Sequence, residues 1–417
     1  MFGIIDCNNF FVSCERVFQP ALNHKPVLVL SSNDGCVVSR SNEVKALNIA
    51  MGEPFFKIFP LVRRHNIHVF SSNFTLYRDM SNKVMDTIAQ MVPTVEIYSV
   101  DEAFLALGSF SSQDALALSH KTVDTIQQWT GIPTTIGIGP TKTLAKIANK
   151  IAKKQRMPVF DITNPIQQQF WLPTLKVDDI WGIGAGWKSH LNDLNIFTAD
   201  VLQQQSVSVI KKRFGQTLAD TVAELKGEVC YTLTEEVAPR KQIIVSRSFG
   251  TPQTTYESLT QALSYHASRA MEKLRRQRSL VREWAITIET SRFTGDPNYR
   301  QSRTITLPFA THNTSTIIAE SKRALGELFS PGKAYKKAGI ILLDIIARKN
   351  CQLDLFSVSE ADTQRGDRLM SLMDKINRRL GPQTVYLAAQ GHRAPFVQNT
   401  KRSPAFTAKW NELMVVS

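Results

Sequence analysis

In Glu96-Ile-Tyr-Ser-Val-Asp101-Glu102-Ala-Phe104, two adjacent carboxylates interrupt an otherwise apolar and β-branched stretch. The β-rich runs 94–99 and 103–107 flank them, which predicts a hairpin with Asp101 and Glu102 at its turn. A third acid, Asp6, ends the apolar run 2–6, which predicts a buried strand. We therefore expect three carboxylates at strand ends rather than on solvated helix faces.

Carboxylates crowded at one place repel each other, and one of them takes up a proton unless a cation lies among them. Hard oxygen ligands suit Mg²⁺, which prefers a few carboxylates together with substrate phosphates. Two such ions about 4 Å apart can activate a 3′-hydroxyl and stabilise a leaving pyrophosphate. The alternative is that each acid caps a turn by itself, as most isolated Asp-Glu pairs do.

Two aromatic residues, Phe10 and Phe11, follow Asp6 within five positions. A bulky ring beneath C2′ of a nucleotide sugar would exclude a ribose hydroxyl and so select deoxyribose. The alternative is a pair of core phenylalanines.

A basic helix is predicted from 141 to 154, with Lys142, Lys146, Lys150 and Lys153 on one face. Like charges aligned in this way disfavour an isolated helix, which points to an anionic partner such as a triphosphate. A solvated helix face is the alternative.

The composition describes a basic, multidomain protein. The 417 residues allow two to four domains, and a net charge of +14 with a pI near 9.6 favours a polyanionic partner. No apolar run is long enough for a membrane helix, and the N-terminus lacks the basic region of a signal peptide. Five scattered cysteines are typical of reduced thiols, so we expect a cytoplasmic protein.

The second half of the chain predicts two further modules. Gly182, Gly184 and Gly186 interrupt a mostly helical region and resemble a helix-hairpin-helix, whose backbone N–H groups approach a DNA phosphate. After a polar linker, residues 242–346 read strand, helix, two strands, helix, strand, which is a split βαβ module. From 240 to 303, twelve Lys/Arg face five Asp/Glu, so this module should hold DNA.

Together these segments resemble the Y-family of lesion-bypass DNA polymerases from residue 1 to about 346. The resemblance is carried by Asp6 with Phe10-Phe11, by Tyr98-Ser-Val-Asp101-Glu102-Ala, by Gly137-Ile-Gly and by Lys142-Thr-Leu-Ala-Lys146. Residues 32–37 and the tail are most similar to the UmuC-type catalytic subunits of bacterial polymerase V. The resemblance implies low-fidelity translesion synthesis in SOS mutagenesis and DNA repair, on primer-template DNA with dNTPs.

The family implies an α+β right hand with a ferredoxin-like palm, small fingers, a helical thumb and a βαββαβ little finger. We expect the palm at 1–24 and 74–165, the fingers at 25–73 and the thumb with its helix-hairpin-helix at 166–234. A linker at 235–241, the little finger at 242–346 and a C-terminal tail at 347–417 follow.

The resemblance also implies roles for individual residues. Asp6, Asp101, Glu102 and the backbone carbonyl of Cys7 match the ligands of two Mg²⁺ ions, for which Mn²⁺ can substitute. Phe11 matches the steric gate. The nucleotide-binding set is Phe10, Phe11, Ser39, Asn42, Lys45 and Lys153, and the candidate DNA contacts are Gly182, Gly184, Gly186, Lys241, Arg247 and Arg303.

The fingers depart from the family pattern. Many members carry Tyr-Glu-Ala-Arg, where this chain has Asn42-Glu-Val-Lys45. Lys45 keeps the positive charge without the planar fork of arginine, and Asn42 cannot stack as a tyrosine does. Nucleotide affinity and geometry are therefore open.

A short peptide in the tail resembles the pentapeptide by which bacterial polymerases dock on the sliding β-clamp. It comprises Gln352, Leu353, Asp354, Leu355 and Phe356. Apolar residues in a polar tail favour capture by a pocket, the alternative being packing on the little finger. The rest of the tail resembles the extension that implies binding of a processed UmuD-type dimer and RecA.

Two functions from other classes compete with this interpretation. One is a non-catalytic DNA-binding scaffold that keeps the fold, which loss of any of the three acids would indicate. The other is a palm-type nucleotidyl cyclase or transferase, which needs the paired acids but no thumb hairpin, basic little finger or clamp peptide.

Overall fold

The structure is a computed structural model, and it describes residues 1–234, 238–291, 299–350, 360–391 and 400–413. The described chain forms two units. Unit 1 takes residues 1–31, 35–234 and 401–413, and unit 2 takes residues 32–34 and the described residues from 238 to 400.

Unit 1 contains eight strands among its described residues. They are β1 (Phe2–Cys7), β2 (Val27–Leu30), β3 (Val37–Arg40), β4 (His68–Ser71), β5 (Val95–Ile97), β6 (Glu102–Ala106), β7 (Thr134–Gly139) and β8 (Val159–Asp161). Five form one sheet in the order β5-β6-β1-β7-β8, and three form a second in the order β3-β2-β4. The predicted strands near residues 2–6, 94–99, 103–107 and 134–139 are confirmed, with shifts of up to two residues at their ends.

Eleven helices of unit 1 surround these sheets in the described ranges. They are α1 (Phe10–Phe18), α2 (Asn42–Ala46), α3 (Phe55–Arg64), α4 (Phe74–Met91), α5 (Ser112–Thr130), α6 (Lys142–Gln155), α7 (Pro165–Trp171), α8 (Ala185–Asn192), α9 (Ala199–Gln204), α10 (Val207–Phe214) and α11 (Gln216–Leu225). One face of the large sheet packs Ile5, Leu105 and Ile138 into the main core. The other face carries helix α6.

Helix α6 lies unusually close to strand β7, and two glycines permit this. A Cβ on Gly137 would lie 2.1 Å from the Asn149 nitrogen and 2.4 Å from the Ala145 oxygen. A Cβ on Gly139 would lie 2.6 Å from the Ala145 nitrogen. All of these are backbone atoms, so no side-chain movement relieves the collision. The start of the helix is fixed as well, because Glu224 accepts hydrogen bonds from both the N–H and the hydroxyl of Thr143, each at 2.8 Å.

Unit 2 confirms the predicted βαββαβ order. Its elements are β9 (Ile243–Gln253), α12 (Tyr256–Arg276), β10 (Ser279–Glu289), β11 (Arg300–Thr311), α13 (Thr314–Leu328), β12 (Tyr335–Ala347) and α14 (Glu360–Leu380). The sheet has the order β11-β10-β12-β9, with every neighbouring pair antiparallel. Trp284 is fully buried at its core and donates a 3.0 Å hydrogen bond to Ser321.

The tail is divided between the units. Helix α14 packs on unit 2, where Asp374 accepts two hydrogen bonds from Arg275 at 2.7 and 2.8 Å. Residues 401–413 belong instead to unit 1, where Phe406 stacks on Phe18 with 4.5 Å between ring centroids. No local sequence pattern predicts that residues 401–413 return to unit 1. No helix in the described ranges is long and apolar enough to cross a membrane.

The glycine contact predicts a strong effect of one added methyl group. We expect Gly137→Ala to lower the free energy of unfolding by at least about 3 kcal/mol, because helix α6 must move off the sheet. Denaturant unfolding measures this directly. Gly186→Ala is the matched control, since its Cβ would meet nothing within 4 Å and it lies within helix α8. Equal stability of the two variants would contradict the packing argument.

Candidate active site

The three predicted carboxylates lie on two neighbouring strands and the turn beside them. Asp6 of β1 pairs with Glu102 of β6 in the antiparallel register, so their side chains share one face of the sheet. The Cys7 N–H donates to the Asp101 carbonyl at 2.8 Å, which places Asp101 beside the end of β1. The hairpin predicted from the sequence therefore brings the three acids to one place.

Ser99 organises the turn that carries two of these acids. Its hydroxyl donates to the Asp101 carboxylate at 2.5 Å and accepts the Glu102 N–H at 3.0 Å. The Tyr98 N–H donates to the Glu102 carbonyl at 3.0 Å and closes the turn. Sequence reasoning used Ser99 only as part of the family motif, although a serine two residues before an aspartate is a common turn signal.

The lysine face of helix α6 meets carboxylates rather than water. The pairs are Lys142 with Glu96 at 2.7 Å, Lys146 with Glu102 at 2.9 Å, Lys153 with Asp6 at 2.5 Å, and Lys150 with Asp179. The sequence left open a triphosphate partner or a solvated face. In the structure each of the four lysines pairs with a carboxylate, Lys150 and Lys153 remain 45% and 37% exposed, and the triphosphate partner stays a prediction.

The environment of Asp6 disfavours the ionised form of its carboxyl group. Burial raises the pKa of Asp6 from 3.8 to about 6, the ion pair with Lys153 opposes this rise, and the charges of Glu102 and Asp101 add to it. Ionisation of Asp6 is therefore disfavoured mainly by burial, at a side chain that is only 16% exposed. Such a site favours a bound cation.

No three His, Cys, Asp or Glu side chains in the described part of the chain converge into a ready metal cluster. Asp6, Asp101 and Glu102 each hold a local partner, namely Lys153, Ser99 and Lys146. Three hard oxygen donors on adjoining backbone positions still suit a divalent ion such as Mg²⁺, which would take the place of the lysines.

A cavity of about 930 Å³ opens next to the carboxylates. Asp6 and Asp101 border it, while the Glu102 carboxylate is held by Lys146. Its cationic lining consists of Arg40, Lys45, Lys153 and Arg156. Burial lowers the pKa of Lys45, and the charges of Arg40 and Lys153 lower it further. The cavity therefore has acids at one place and several crowded cations at another.

Arg40 and Arg156 were missed by the sequence analysis. Arg40 ends strand β3, directly before the Ser41 that caps helix α2, and Arg156 follows the lysine helix in a left-handed conformation with φ 58°. Both lie near residues that the sequence analysis named, because Arg40 follows Ser39 and Arg156 lies three residues after Lys153.

The two phenylalanines have different environments. Phe10 is 3% exposed and belongs to the main core, whereas Phe11 is partly exposed, and both border the cavity. Helix α1, which the sequence did not predict, carries both. The Tyr77 ring stacks on Phe11 with 4.4 Å between centroids, and Phe74 meets Phe11 edge-on at 6.0 Å.

Ser39 and Asn42 support the loop before helix α1. The Ser39 hydroxyl accepts the Val12 N–H at 3.4 Å and donates to the Asn9 carbonyl at 3.3 Å. The Asn42 side chain accepts the Asn9 amide at 3.1 Å. Both residues border the cavity, as predicted for nucleotide contacts, and both also position the backbone that carries the phenylalanines.

The predicted hairpin glycines lie at the start of helix α8. Gly182 has φ +87°, Gly184 caps the helix, and a Cβ on Gly182, Gly184 or Gly186 would meet nothing within 4 Å. The region packs on the acidic hairpin, since Trp181 donates a 3.1 Å hydrogen bond to Tyr98. Open backbone at a helix start suits a phosphate contact.

The candidate DNA contacts of unit 2 lie exposed on or beside its edge strands. Arg247 lies on β9 and Lys241 just before it, while Arg303 lies on β11 and pairs with Glu327 at 3.1 Å. Among the basic residues at the end of helix α12, Arg275 is committed to Asp374. The predicted clamp peptide, Gln352 to Phe356, lies outside the described residues.

Comparisons with known proteins agree along the chain. The impB/mucB/samB family matches residues 5–150, the C-terminal domain of that family matches 240–355, and a domain of unknown function matches 367–416. The chain is 41% identical to the protein UmuC of Salmonella typhimurium, over 100% of both chains. It is 27% identical to DNA polymerase IV of Corynebacterium diphtheriae, over 76% of this chain and 69% of that one.

The fold also has a counterpart among solved structures. A Y-family DNA polymerase chimera of Dbh and Dpo4 superposes with a TM-score of 0.67 at 21% identity, covering 83% of this chain and 100% of the other. At this identity the likeness bears on the fold alone.

The raised pKa of Asp6 predicts a stability profile for the metal-free protein. Between pH 3.8 and about 6 the folded protein keeps a proton that the unfolded chain has released, so the unfolding free energy falls as the pH rises. We expect Asp6→Asn to remove this fall and to raise the unfolding free energy at pH 7.5 by ~1–3 kcal/mol. Denaturant unfolding from pH 4 to 8 in a chelator measures it.

Asp124→Asn, an exposed change on helix α5, is the control and should follow the parent protein at every pH. Added Mg²⁺ should stabilise the parent protein and leave Asp6→Asn unchanged. If the unfolding free energy of Asp6→Asn varies with pH as that of the parent protein does, burial does not raise the pKa of Asp6.

Proposed function

The chain belongs to the impB/mucB/samB family of Y-family DNA polymerases, and from that premise we propose how its residues carry out DNA synthesis. It is a low-fidelity, template-directed translesion polymerase of SOS mutagenesis that acts on primer-template DNA and dNTPs. A non-catalytic scaffold and a nucleotidyl cyclase are therefore set aside. The assignments of residues, metal ions and partners that follow are proposals.

One observation carries the assignment of the active site. Asp6 and Asp101 border a cavity whose lining also includes four cationic side chains, and Asp6 and Glu102 are neutralised by lysines of helix α6. An acidic centre next to a basic pocket suits a substrate that brings both metal ions and a triphosphate.

The donor set fits two divalent cations, Mg²⁺ by chemistry with Mn²⁺ as a substitute. Asp6, Asp101, Glu102 and the Cys7 carbonyl would hold them. Bound there, such ions activate the primer 3′-hydroxyl and stabilise the leaving pyrophosphate. With a divalent cation beside it, Asp6 would no longer need Lys153 as its counter-charge, and Lys153 would be free to bind the triphosphate.

The basic residues of the cavity bind the triphosphate together with Lys153. Lys45 and Arg40 lie on the fingers side, and the crowding that lowers the pKa of Lys45 is relieved by an anion. Lys45 provides a positive charge but cannot make the two parallel hydrogen bonds of an arginine guanidinium. Arg40 makes that bidentate contact with the triphosphate instead. Ser39 and Asn42 hold the loop on which Phe10 and Phe11 meet the nucleotide.

Phe11 is the steric gate of the proposal. It is the phenylalanine that is partly exposed to the cavity, and its ring is fixed between Tyr77 and Phe74. A rigid ring at this place excludes a 2′-hydroxyl by repulsion.

The domains are assigned as follows. The palm is 1–24 and 74–165, the fingers 25–73, the thumb 166–234, the linker 235–241, the little finger 242–346 and the tail 347–417. The thumb glycines Gly182, Gly184 and Gly186 bind DNA phosphates through open backbone, and Lys241, Arg247 and Arg303 do so on the little finger. Such contacts are blind to sequence and weaken with salt.

Three protein partners complete the proposal. The peptide 352–356 binds the sliding β-clamp, and the remaining tail binds a processed UmuD-type dimer and RecA. The full-length likeness to UmuC supports the last two, and the pattern Leu353-Asp-Leu-Phe356 supports the first.

The metal assignment is tested by Asp101→Asn. The amide keeps the shape of the side chain but loses the charge, so we expect primer extension to fall by at least about 10³-fold. Extension of a labelled primer with Mg²⁺ measures it. Asp86→Asn, an exposed change on helix α4, should extend at the parent rate. Extension by Asp101→Asn at the parent rate would falsify the assignment.

The clamp peptide is tested by a double change of Leu355 and Phe356 to Ala. We expect pull-down by the β-clamp to be lost, because the anchor side chains are gone, while extension without the clamp is unchanged. The matched control changes Leu369 and Leu372 to Ala, which are 51% and 55% exposed on helix α14. Clamp binding retained by the first variant, or lost equally by both, would rule out the pentapeptide.

A further inference from the structure

Residues 401–406 form part of the palm although they come near the end of the chain. Lys401 and Ser71 exchange hydrogen bonds at 3.0 Å in both directions. The amide of Asn73 donates to the Ser403 carbonyl, the Ser403 hydroxyl and the Pro404 carbonyl at 2.9 to 3.0 Å. Asn73 also caps helix α4, so this segment is tied to the start of the helix that carries Tyr77.

Ser403 meets a carboxylate in the interior of the palm. Glu15 of helix α1 is 0% exposed, and its Oε1 atom accepts hydrogen bonds from the Tyr77 hydroxyl at 2.7 Å and the Ser403 hydroxyl at 3.0 Å. Burial raises the pKa of Glu15, and these two hydrogen bonds oppose the rise. A buried carboxylate is costly, and its two donors come from different parts of the chain.

The same tyrosine fixes the gate. Its ring lies nearly parallel to Phe11, with 12° between the planes and 4.4 Å between centroids. Phe11 and Glu15 are four residues apart on helix α1, so they lie on one helical face, and Tyr77 contacts both. A shift of the Tyr77 hydroxyl would therefore move the Tyr77 ring, on which the Phe11 ring stacks.

We propose that residues 401–406 are a sugar-specificity element, which acts through Ser403, Glu15 and Tyr77 to hold Phe11 against the nucleotide. This rests on the proposed role of Phe11 as the gate. Ser403, Glu15 and Tyr77 are positioning residues, because they act only through Phe11. The segment falls within the domain of unknown function at 367–416, and the inference gives that part of it a role.

The contacts among Ser403, Glu15 and Tyr77 would fix the position of Phe11 rather than stabilise the fold. Apolar residues at positions 15 and 403 could fill the same space without a buried charge, and such replacements are often neutral or stabilising. The two hydrogen bonds to the Glu15 Oε1 atom instead favour one arrangement of Tyr77, Glu15 and Ser403, while the buried Oε2 atom has no partner among the described residues. A gate that rejects a single hydroxyl group needs this, since small displacements of a positioned group have large kinetic effects.

The test compares two hydroxyl deletions, one within residues 401–406 and one at the residue that follows them. Ser403→Ala removes the contact to Glu15. Thr407→Ala removes a contact to Asp79 at 3.0 Å on the surface, away from the gate. The readout is the ratio of kcat/KM for a dNTP to that for the matching rNTP. We expect the ratio to fall about 3- to 10-fold in Ser403→Ala, with kcat/KM for the dNTP changed less than twofold. Thr407→Ala should keep the parent ratio.

Tyr77→Phe provides a second variant that keeps the stacked ring and loses only the hydroxyl. It should lower the ratio as Ser403→Ala does. In a Phe11→Ala background, neither change should have a further effect, because the gate that they position is gone.

The outcomes separate the two proposals. If Phe11→Ala itself leaves the ratio unchanged, Phe11 is not the gate and both proposals fail. If Phe11→Ala lowers the ratio while Ser403→Ala and Tyr77→Phe do not, the specificity element alone is overturned. Equal losses for dNTP and rNTP would also overturn it, because they indicate a purely structural role.

Discussion

The close contact between helix α6 and strand β7 sets the geometry of the whole active site. It depends on Gly137 and Gly139, where any side chain would collide with helix backbone. Because the helix lies directly on the sheet, Lys153 and Lys146 reach the carboxylates of Asp6 on β1 and Glu102 on β6. The close packing at Gly137 and Gly139 thus determines which carboxylates the lysines of helix α6 reach.

Lysines of helix α6 neutralise two carboxylates of the active site. Asp6 and Glu102 would repel each other on a shared face, and Lys153 and Lys146 compensate them. Divalent cations bound as proposed would take over the compensation of Asp6 and Glu102 from these lysines. The same lysines are then available to an anion. One set of side chains can therefore serve the free and the bound enzyme.

Local patterns predicted much of this structure. The acidic hairpin, the basic helix and the βαββαβ module follow from periodicity and turn residues, and the structure confirms them. Helix α3 was missed because Pro54 precedes it and Pro60 lies inside it, and proline commonly ends helices. The partners of the lysines were missed because they are set by strand order. No local signal indicates that Ser403 should meet Glu15, since this contact depends on the tertiary fold.

The contact between Ser403 and Glu15 joins residues that are 388 positions apart. A ribosome completes helix α1 and Tyr77 long before it adds residue 403, so in the nascent palm Glu15 can accept the Tyr77 hydroxyl but not yet the Ser403 hydroxyl. Contacts of such long separation form late and slow the search for the native state. If Phe11 is the gate and Ser403 positions it, as proposed, the polymerase can hold most of its fold during synthesis while the gate is completed among the last steps. Maturation of the enzyme and maturation of its selectivity become separate events in time.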